Sequence, residues 1–293
     1  MSHKSENISK VKNTGEAKTK KANNGLTAWE IVKISRHSGR PVFQDYLKLI
    51  FENFIPLHGD RYFADDPAIV GGFAELEGNK IMLVGHYKGK NTEENIERNF
   101  GMAKPEGYRK ALRLMRLAER FNIPIVTIID TPGAFPGMEA EERGQAESIA
   151  KNITEMAKIE VPIISVVIGE GGSGGALGIG VGDKILMLSR AIYSVISPEG
   201  CASILWRDAS YAPDAAKALN LTADALLKLD VIDEIIEEPA EGAHTGVHKT
   251  AENVKNSIIK NLNLLGNLDV EELLKNRSSK YSNMGKYNDI NKG

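Results

Sequence analysis

Residues 161–183 read VPIISVVIGEGGSGGALGIGVGD, an apolar run followed by Gly169, Gly171, Gly172, Gly174, Gly175, Gly178, Gly180 and Gly182. Glycine inside regular structure costs about 0.5–1 kcal/mol relative to alanine, so this density needs a local cause. Either another group approaches the backbone closely, or peptide N–H groups are turned toward a ligand. Close packing is expected to explain a few of these glycines, not all eight.

Four chemistries fit the pattern. Gly169, Gly171 and Gly174 satisfy G-x-G-x-x-G behind a strand, but a dinucleotide site wants an acidic residue ending the next strand. There the chain has Ser189 and Arg190. Residues 169–174 also have Walker spacing, and Asp130-Thr131-Pro132-Gly133 resembles the D-x-x-G of GTPases. Gly175 and Ala176 stand where the lysine and hydroxyl that hold phosphate and Mg²⁺ belong, and the two motifs occur in reversed order. Residues 171–175 match G-x-S-x-G, a nucleophile elbow centred on Ser173, with His244 and His248 downstream as that order requires. The fourth reading starts from the absence of Lys, Arg and His in the stretch. Uncharged backbone donors suit an oxyanion that exists only during reaction, where each is worth about 2.7–4 kcal/mol. The short helix expected after Gly175 would add its positive end.

Around this stretch, 293 residues with a formal net charge of −2 suffice for a sizeable core and give no electrostatic case for nucleic acid or membrane. The single Cys201 leaves no internal disulfide and no thiolate-rich zinc site, which fits a reducing cytoplasm. No apolar run approaches the roughly 20 residues of a membrane span. Residues 1–25 are lysine-rich without an apolar core, and read as a disordered basic arm rather than a secretory signal.

The glycine stretch requires strands to hold it. Thr27-Ala28-Trp29-Glu30 is a capping box opening a helix. A second helix is expected after Pro41, with Tyr46, Leu47, Ile50, Phe51 and Phe54 on one face. Strands over 68–76 and 80–86 flank a turn at Gly78, and residues 88–104 read as a loop. Pro105 opens a long amphipathic helix. Two like units follow: strand 125–130, TPGAFPG and a helix over 139–158; then strand 163–168, the glycines and a short helix. Both strands are continuous apolar runs, as in buried parallel sheets. Strands over 184–188, 193–196 and 231–236, and helices over 212–219, 222–229, 251–265 and 270–274, complete a domain over 26–277. A flexible tail is expected over 278–293.

Longer strings carry a resemblance: HGDRYFADDPAIVGG, RNFGMAKPEGYRKALRLM, IDTPGAFPG, AEERGQ, IGEGGSGGALGIGVGDK and YSVISPEGCASILW. From about Ala28 to Arg277 the chain resembles the alpha subunits of bacterial acetyl-CoA carboxylase carboxyltransferase. The family commonly has a longer helical region before the segment matching Thr27. The resemblance implies an α/β, crotonase-like superhelix of repeated strand–strand–helix units. It implies transfer of a carboxyl group from carboxybiotin, held by a separate biotin carboxyl carrier protein, to acetyl-CoA, forming malonyl-CoA for fatty acid biosynthesis. It further implies partnership with a zinc-bearing beta subunit in an α2β2 heterotetramer, alongside a biotin carboxylase, in the cytoplasm.

By analogy, the N–H groups of Gly174 and Gly175 hold the biotin ureido oxygen, with Gly171, Gly172 and Ser173 beside the biotin. Gly133 and Ala134 are candidates for a second pair of donors. No side-chain base is required, since biotin itself takes the acetyl proton, and the protein contributes orientation and oxyanion stabilisation. Asp130 and Glu170 read as loop-ordering residues. Lys88, Lys90 and Arg98 are either CoA-phosphate contacts or a solvated basic loop. A hydrolase using Ser173 and a non-catalytic scaffold are the alternatives.

Overall fold

The computed structural model describes residues 25–285; the basic arm expected over 1–25 and the end of the expected tail, 286–293, lie outside the described residues, save Gly25. The chain opens with α1 (Ala28–Ser35) and α2 (Phe43–Ile50), then β1 (Glu52–Pro56), β2 (Ile69–Leu76) and β3 (Asn79–His86). Next come α3 (Thr92–Glu97), α4 (Pro105–Arg120), β4 (Ile125–Thr131), α5 (Met138–Glu142) and α6 (Gln145–Met156). The glycine region forms β5 (Ile163–Gly172) and α7 (Ser173–Leu177), followed by β6 (Lys184–Leu188), β7 (Ile192–Ser194) and α8 (Pro198–Trp206). The chain ends in α9 (Ala212–Ala218), α10 (Ala223–Lys228), β8 (Glu234–Ile236), α11 (Val247–Leu265) and α12 (Val270–Ser282).

One eight-stranded sheet runs β1-β2-β3-β4-β5-β6-β8, with β7 joined to the far end of β5. The first two pairings are antiparallel and the rest parallel. β4 and nearly all of β5 are buried, as their unbroken apolar runs predict. Neighbouring β3 residues reveal helices on both faces. The partner of Val84, Gly71, packs under Leu114 of α4, while Gly85 points oppositely against Phe43 of α2. α6 lies on α4, and α11 on α2 and β5.

Several elements differ from expectation. α2 stops at Ile50, and Phe54 instead belongs to edge strand β1, where Asn53 takes φ 51° and the register shifts. Apolar spacing alone cannot separate a helix end from a short strand. The expected loop over 88–104 contains α3, whose cap is the Asn91 side chain accepting from Glu94 N at 2.8 Å. The helix expected over 139–158 is two helices, broken where Gly144 takes φ 80°. α12 runs past Arg277 to Ser282, and its Tyr281 hydroxyl donates to Gly182 O at 3.1 Å; tertiary bonding therefore holds a segment whose polarity suggested a loose tail.

The start of β5 is fixed by a buried ion pair. Arg277, 1% exposed, meets Asp183 with two bonds of 2.7 Å and also donates to Met156 O, Ile159 O and Val161 O. Asp183 Oδ2 in turn accepts Ile163 N at 2.7 Å. Four segments are thereby tied to one guanidinium.

Candidate active site

The site is made where β4 and β5 end. Beyond Ile129 their register shifts, so that Thr131 faces Gly171. The two following turns then touch through backbone. A Cβ at Gly172 would overlap the Pro132 carbonyl, and one at Gly175 would overlap Gly133 and Ala134. Of the eight glycines, seven would put a Cβ within 3.0 Å of an existing atom. Close packing therefore explains far more of them than the sequence suggests, because the neighbours come from distant segments. Gly174 is the exception: its nearest contact would be Ile149 Cγ2 at 3.7 Å, an ordinary separation.

α7 starts at Ser173, so Gly174 and Gly175 lie within its first turn, not before it. First-turn N–H groups have no intrahelical acceptor. One turn adds little field of its own, leaving these individual donors as the useful feature. Opposite them, the Gly133 N–H is 3.2 Å from Thr131 Oγ1, whose hydroxyl donates back to Gly133 O at 2.6 Å. Gly133 is thus occupied locally, whereas among the described residues nothing accepts from the N–H of Ala134. Gln145 steadies this loop by donating to Ala103 O at 2.8 Å and Phe135 O at 3.0 Å.

A cavity of about 300 Å³ lies beside α7, lined by Ser173, Gly174, Leu177, Tyr193, Val195 and Tyr281 among others. Leu177 and Val195 are exposed, which leaves its rim apolar. Burial pushes the Tyr193 phenol up to about 12, so it stays protonated. Gly171 and Gly172 sit in β5, paired with Tyr193 and Ser194, so that of these three residues only Ser173 lines the cavity. The cavity wall supplied by β7 and α12 escaped the sequence reading; its only sequence signal was the YSVIS string.

On the other side of β5 the charges are paired. Lys88 Nζ donates to Asp130 at 2.8 Å and Glu170 at 3.1 Å, and Arg36 Nε reaches Glu170 at 2.7 Å. Burial pulls the Lys88 ammonium down, but Asp130 and Glu170 outweigh it and raise the pKa. Burial likewise raises Glu170, yet Lys88 and Arg36 hold it below its ordinary value. Asp130 also accepts Glu170 N at 3.0 Å, fixing the two strand ends together. Lys88 is thus committed internally, Lys90 pairs with Asp45, and Arg98 lies 3.7 Å over the Tyr87 ring while donating to Pro67 O. None of the three forms a free phosphate-binding group.

The elbow reading fails on geometry. His244 stacks on His37 with ring centroids 3.8 Å apart, and no described histidine bonds the Ser173 hydroxyl or lines its cavity. Ser173 nevertheless holds φ 51°, a left-handed conformation that aims the following N–H groups away from the strand.

Solved structures share this architecture and define the fold. The chain matches a chain of the transcarboxylase 12S structure with TM-score 0.59 at 21% identity, covering 76% of this chain and 44% of that one. It matches the Pseudomonas aeruginosa geranyl-CoA carboxylase beta subunit with TM-score 0.61 at 17% identity, covering 84% and 46%. The fold is the crotonase-like fold of carboxyltransferases. The family profile described as acetyl co-enzyme A carboxylase carboxyltransferase-like matches residues 1–285. Acetyl-coenzyme A carboxylase carboxyl transferase alpha subunits are 56% identical over 283 residues in Methylococcus capsulatus, spanning 97% of this chain and 88% of the relative. The Vibrio cholerae subunit is 58% identical over 266 residues, spanning 91% and 83%. This chain belongs to the family of acetyl-CoA carboxylase carboxyltransferase alpha subunits.

Proposed function

We propose that this subunit seats carboxybiotin, delivered by a separate carrier protein, in the cavity beside Ser173 and Gly174, for carboxyl transfer to acetyl-CoA held chiefly by a beta subunit. The observation that carries the reading is the apposition of two turns with free backbone N–H groups, Gly174–Gly175 and Ala134, beside an apolar cavity. A fused ring with one polar edge suits such a place: apolar wall against the ring, N–H groups toward the ureido oxygen. These donors bear no formal charge, so they favour the oxygen as it gains negative charge over the neutral ground state, which is where catalytic stabilisation must act.

The chain's own contribution is orientation and charge stabilisation. The Asp130–Lys88–Glu170–Arg36 network holds the two strand ends at fixed separation, and Gln145 holds the Ala134 loop. Prepositioned donors need no reorganisation during reaction. Bound carboxybiotin would supply both the carboxyl group that passes to the acetyl carbon and the acceptor for the proton that carbon gives up, so the residues here would hold and orient it without acting as base. On this reading the beta subunit covers the apolar rim in a cytoplasmic α2β2 assembly, with biotin carboxylase loading the carrier; the exposure of Leu177 and Val195 supports that cover.

Reconstitution tests the reading. The chain alone and with a matching beta subunit is assayed for malonyl-CoA-dependent carboxylation of free biotin. Activity only in the pair is expected; turnover by the isolated chain, or none in the pair, overturns it.

A further inference from the structure

His86, the last residue of β3, is fully buried, and neither ring nitrogen has a hydrogen-bond partner. A buried unsatisfied polar group costs stability, and a phenyl ring of similar shape would carry no such cost. Burial, and then the nearby Lys88 ammonium, push its pKa down to about 3, so the ring is neutral and bears one N–H.

The surroundings of the ring suggest its use. It approaches the Gly175 carbonyl, short of a closed hydrogen bond. The same carbonyl accepts the Tyr108 hydroxyl of α4 at 3.3 Å, a long bond. Tyr108 is itself fully buried, and its ring abuts Gly178 at the other end of α7. Asn152 of α6 completes the support, donating to Tyr108 O at 2.9 Å and Gly178 O at 2.8 Å. The buried side of the Gly174–Gly175 turn therefore faces donors from three elements, while Gly175 abuts the Gly133–Ala134 backbone and Gly174 lines the cavity. The Gly175 carbonyl is thus a restraint on rotation of the turn, beside the packing of Gly172 and Gly175 against the Pro132–Ala134 backbone.

We propose that His86 is a positioning residue for carboxyl transfer, its ring N–H directed at the Gly175 carbonyl together with the Tyr108 hydroxyl so that the Gly174 and Gly175 N–H groups stay aimed at the reacting oxygen. The inference rests on the proposed oxyanion role of that turn. The unmade bond is its signature, since catalytic hydrogen bonds are often long in the empty site and tighten only in the loaded one.

The test uses the reconstituted heteromeric enzyme carrying His86→Phe, Tyr108→Phe or both. His86→Phe is expected to lower kcat roughly tenfold, with KM for acetyl-CoA unchanged and the melting temperature equal or higher. A purely structural residue would not give that combination. Tyr108→Phe alone is expected to cost less, and the double variant more than the product of the two, since either donor partly substitutes for the other. His86→Gln or His86→Asn, each supplying an amide N–H, is expected to recover part of kcat. Full kcat in His86→Phe, or a parallel fall of kcat and melting temperature, overturns the role of His86 while the wild-type pair remains active. An inactive wild-type pair instead overturns the proposed function itself.

Discussion

The two ends of β5 are built to opposite rules. At its start, Ile163 N, Asp183, Arg277 and three carbonyls satisfy one another, with every contact buried. At its end, past Gly172, the chain leaves N–H groups open, holds Ser173 at positive φ and buries a histidine without partners. Both ends lie on one strand, so the difference is not one of fold quality. Saturated polar groups at one end give rigidity, and unsatisfied ones at the other are those the proposed function uses. That division is the expected form of a local stability sacrifice at an active site.

The contrast is broken most severely from the saturated end. Arg277→Ala leaves Asp183 buried without its ion pair and strips Ile159 O and Val161 O of their donor, and is expected to cost about 3–5 kcal/mol in denaturant unfolding. Adding Asp183→Asn, which removes the stranded charge, should recover part of that loss. At the open end, Gly175→Ala forces a methyl into the Gly133–Ala134 backbone. Turnover of the reconstituted enzyme is expected to fall about a hundredfold, with native-like circular dichroism, because a displacement on the order of 1 Å is enough. Gly174→Ala meets only Ile149 at 3.7 Å. Here an unchanged melting temperature with roughly tenfold lower turnover would show that this glycine serves a ligand's approach rather than packing.

The smallest effect concerns the paired carboxylates between the two ends. Burial raises the Glu170 pKa, but Lys88 and Arg36 leave it net lowered. Its stabilising contribution is therefore present above the ordinary glutamate value and lost as pH falls through the lower folded-state value. The urea midpoint should drop on acidification across that window, and Glu170→Gln should flatten the drop.

Much of the scaffold was legible in local chemistry. The Thr27 capping box is present in full, with Glu30 N bonded to Thr27 Oγ1 at 3.2 Å and Thr27 N to Glu30 at 2.7 Å, and Pro105 opens α4. β4 and β5 stand where unbroken apolar runs placed them, and the family strings identified the chemistry class. What the sequence could not reveal depends on segments far apart in the chain. Gly175 needs to be glycine because of Gly133, and Lys88 is unavailable because of Asp130 and Glu170. Gly133 and Ala134 look equivalent as a string, yet the Thr131 hydroxyl occupies one N–H and leaves the other. His86 carries no motif at all; only its burial and empty nitrogens single it out.

The Arg277 clamp also bears on how the protein is made. It joins residues 94 positions apart, Arg277 and Asp183, and its carbonyl partners lie further back still. Such non-local pairing cannot form until α12 has left the ribosome, so the start of β5 lacks this clamp until then. Nascent chains stalled before Arg277 emerges are expected to expose β5 to limited proteolysis, and chains released with α12 to protect it. Helix α12 thus acts as a latch on the strand that carries the glycine turn.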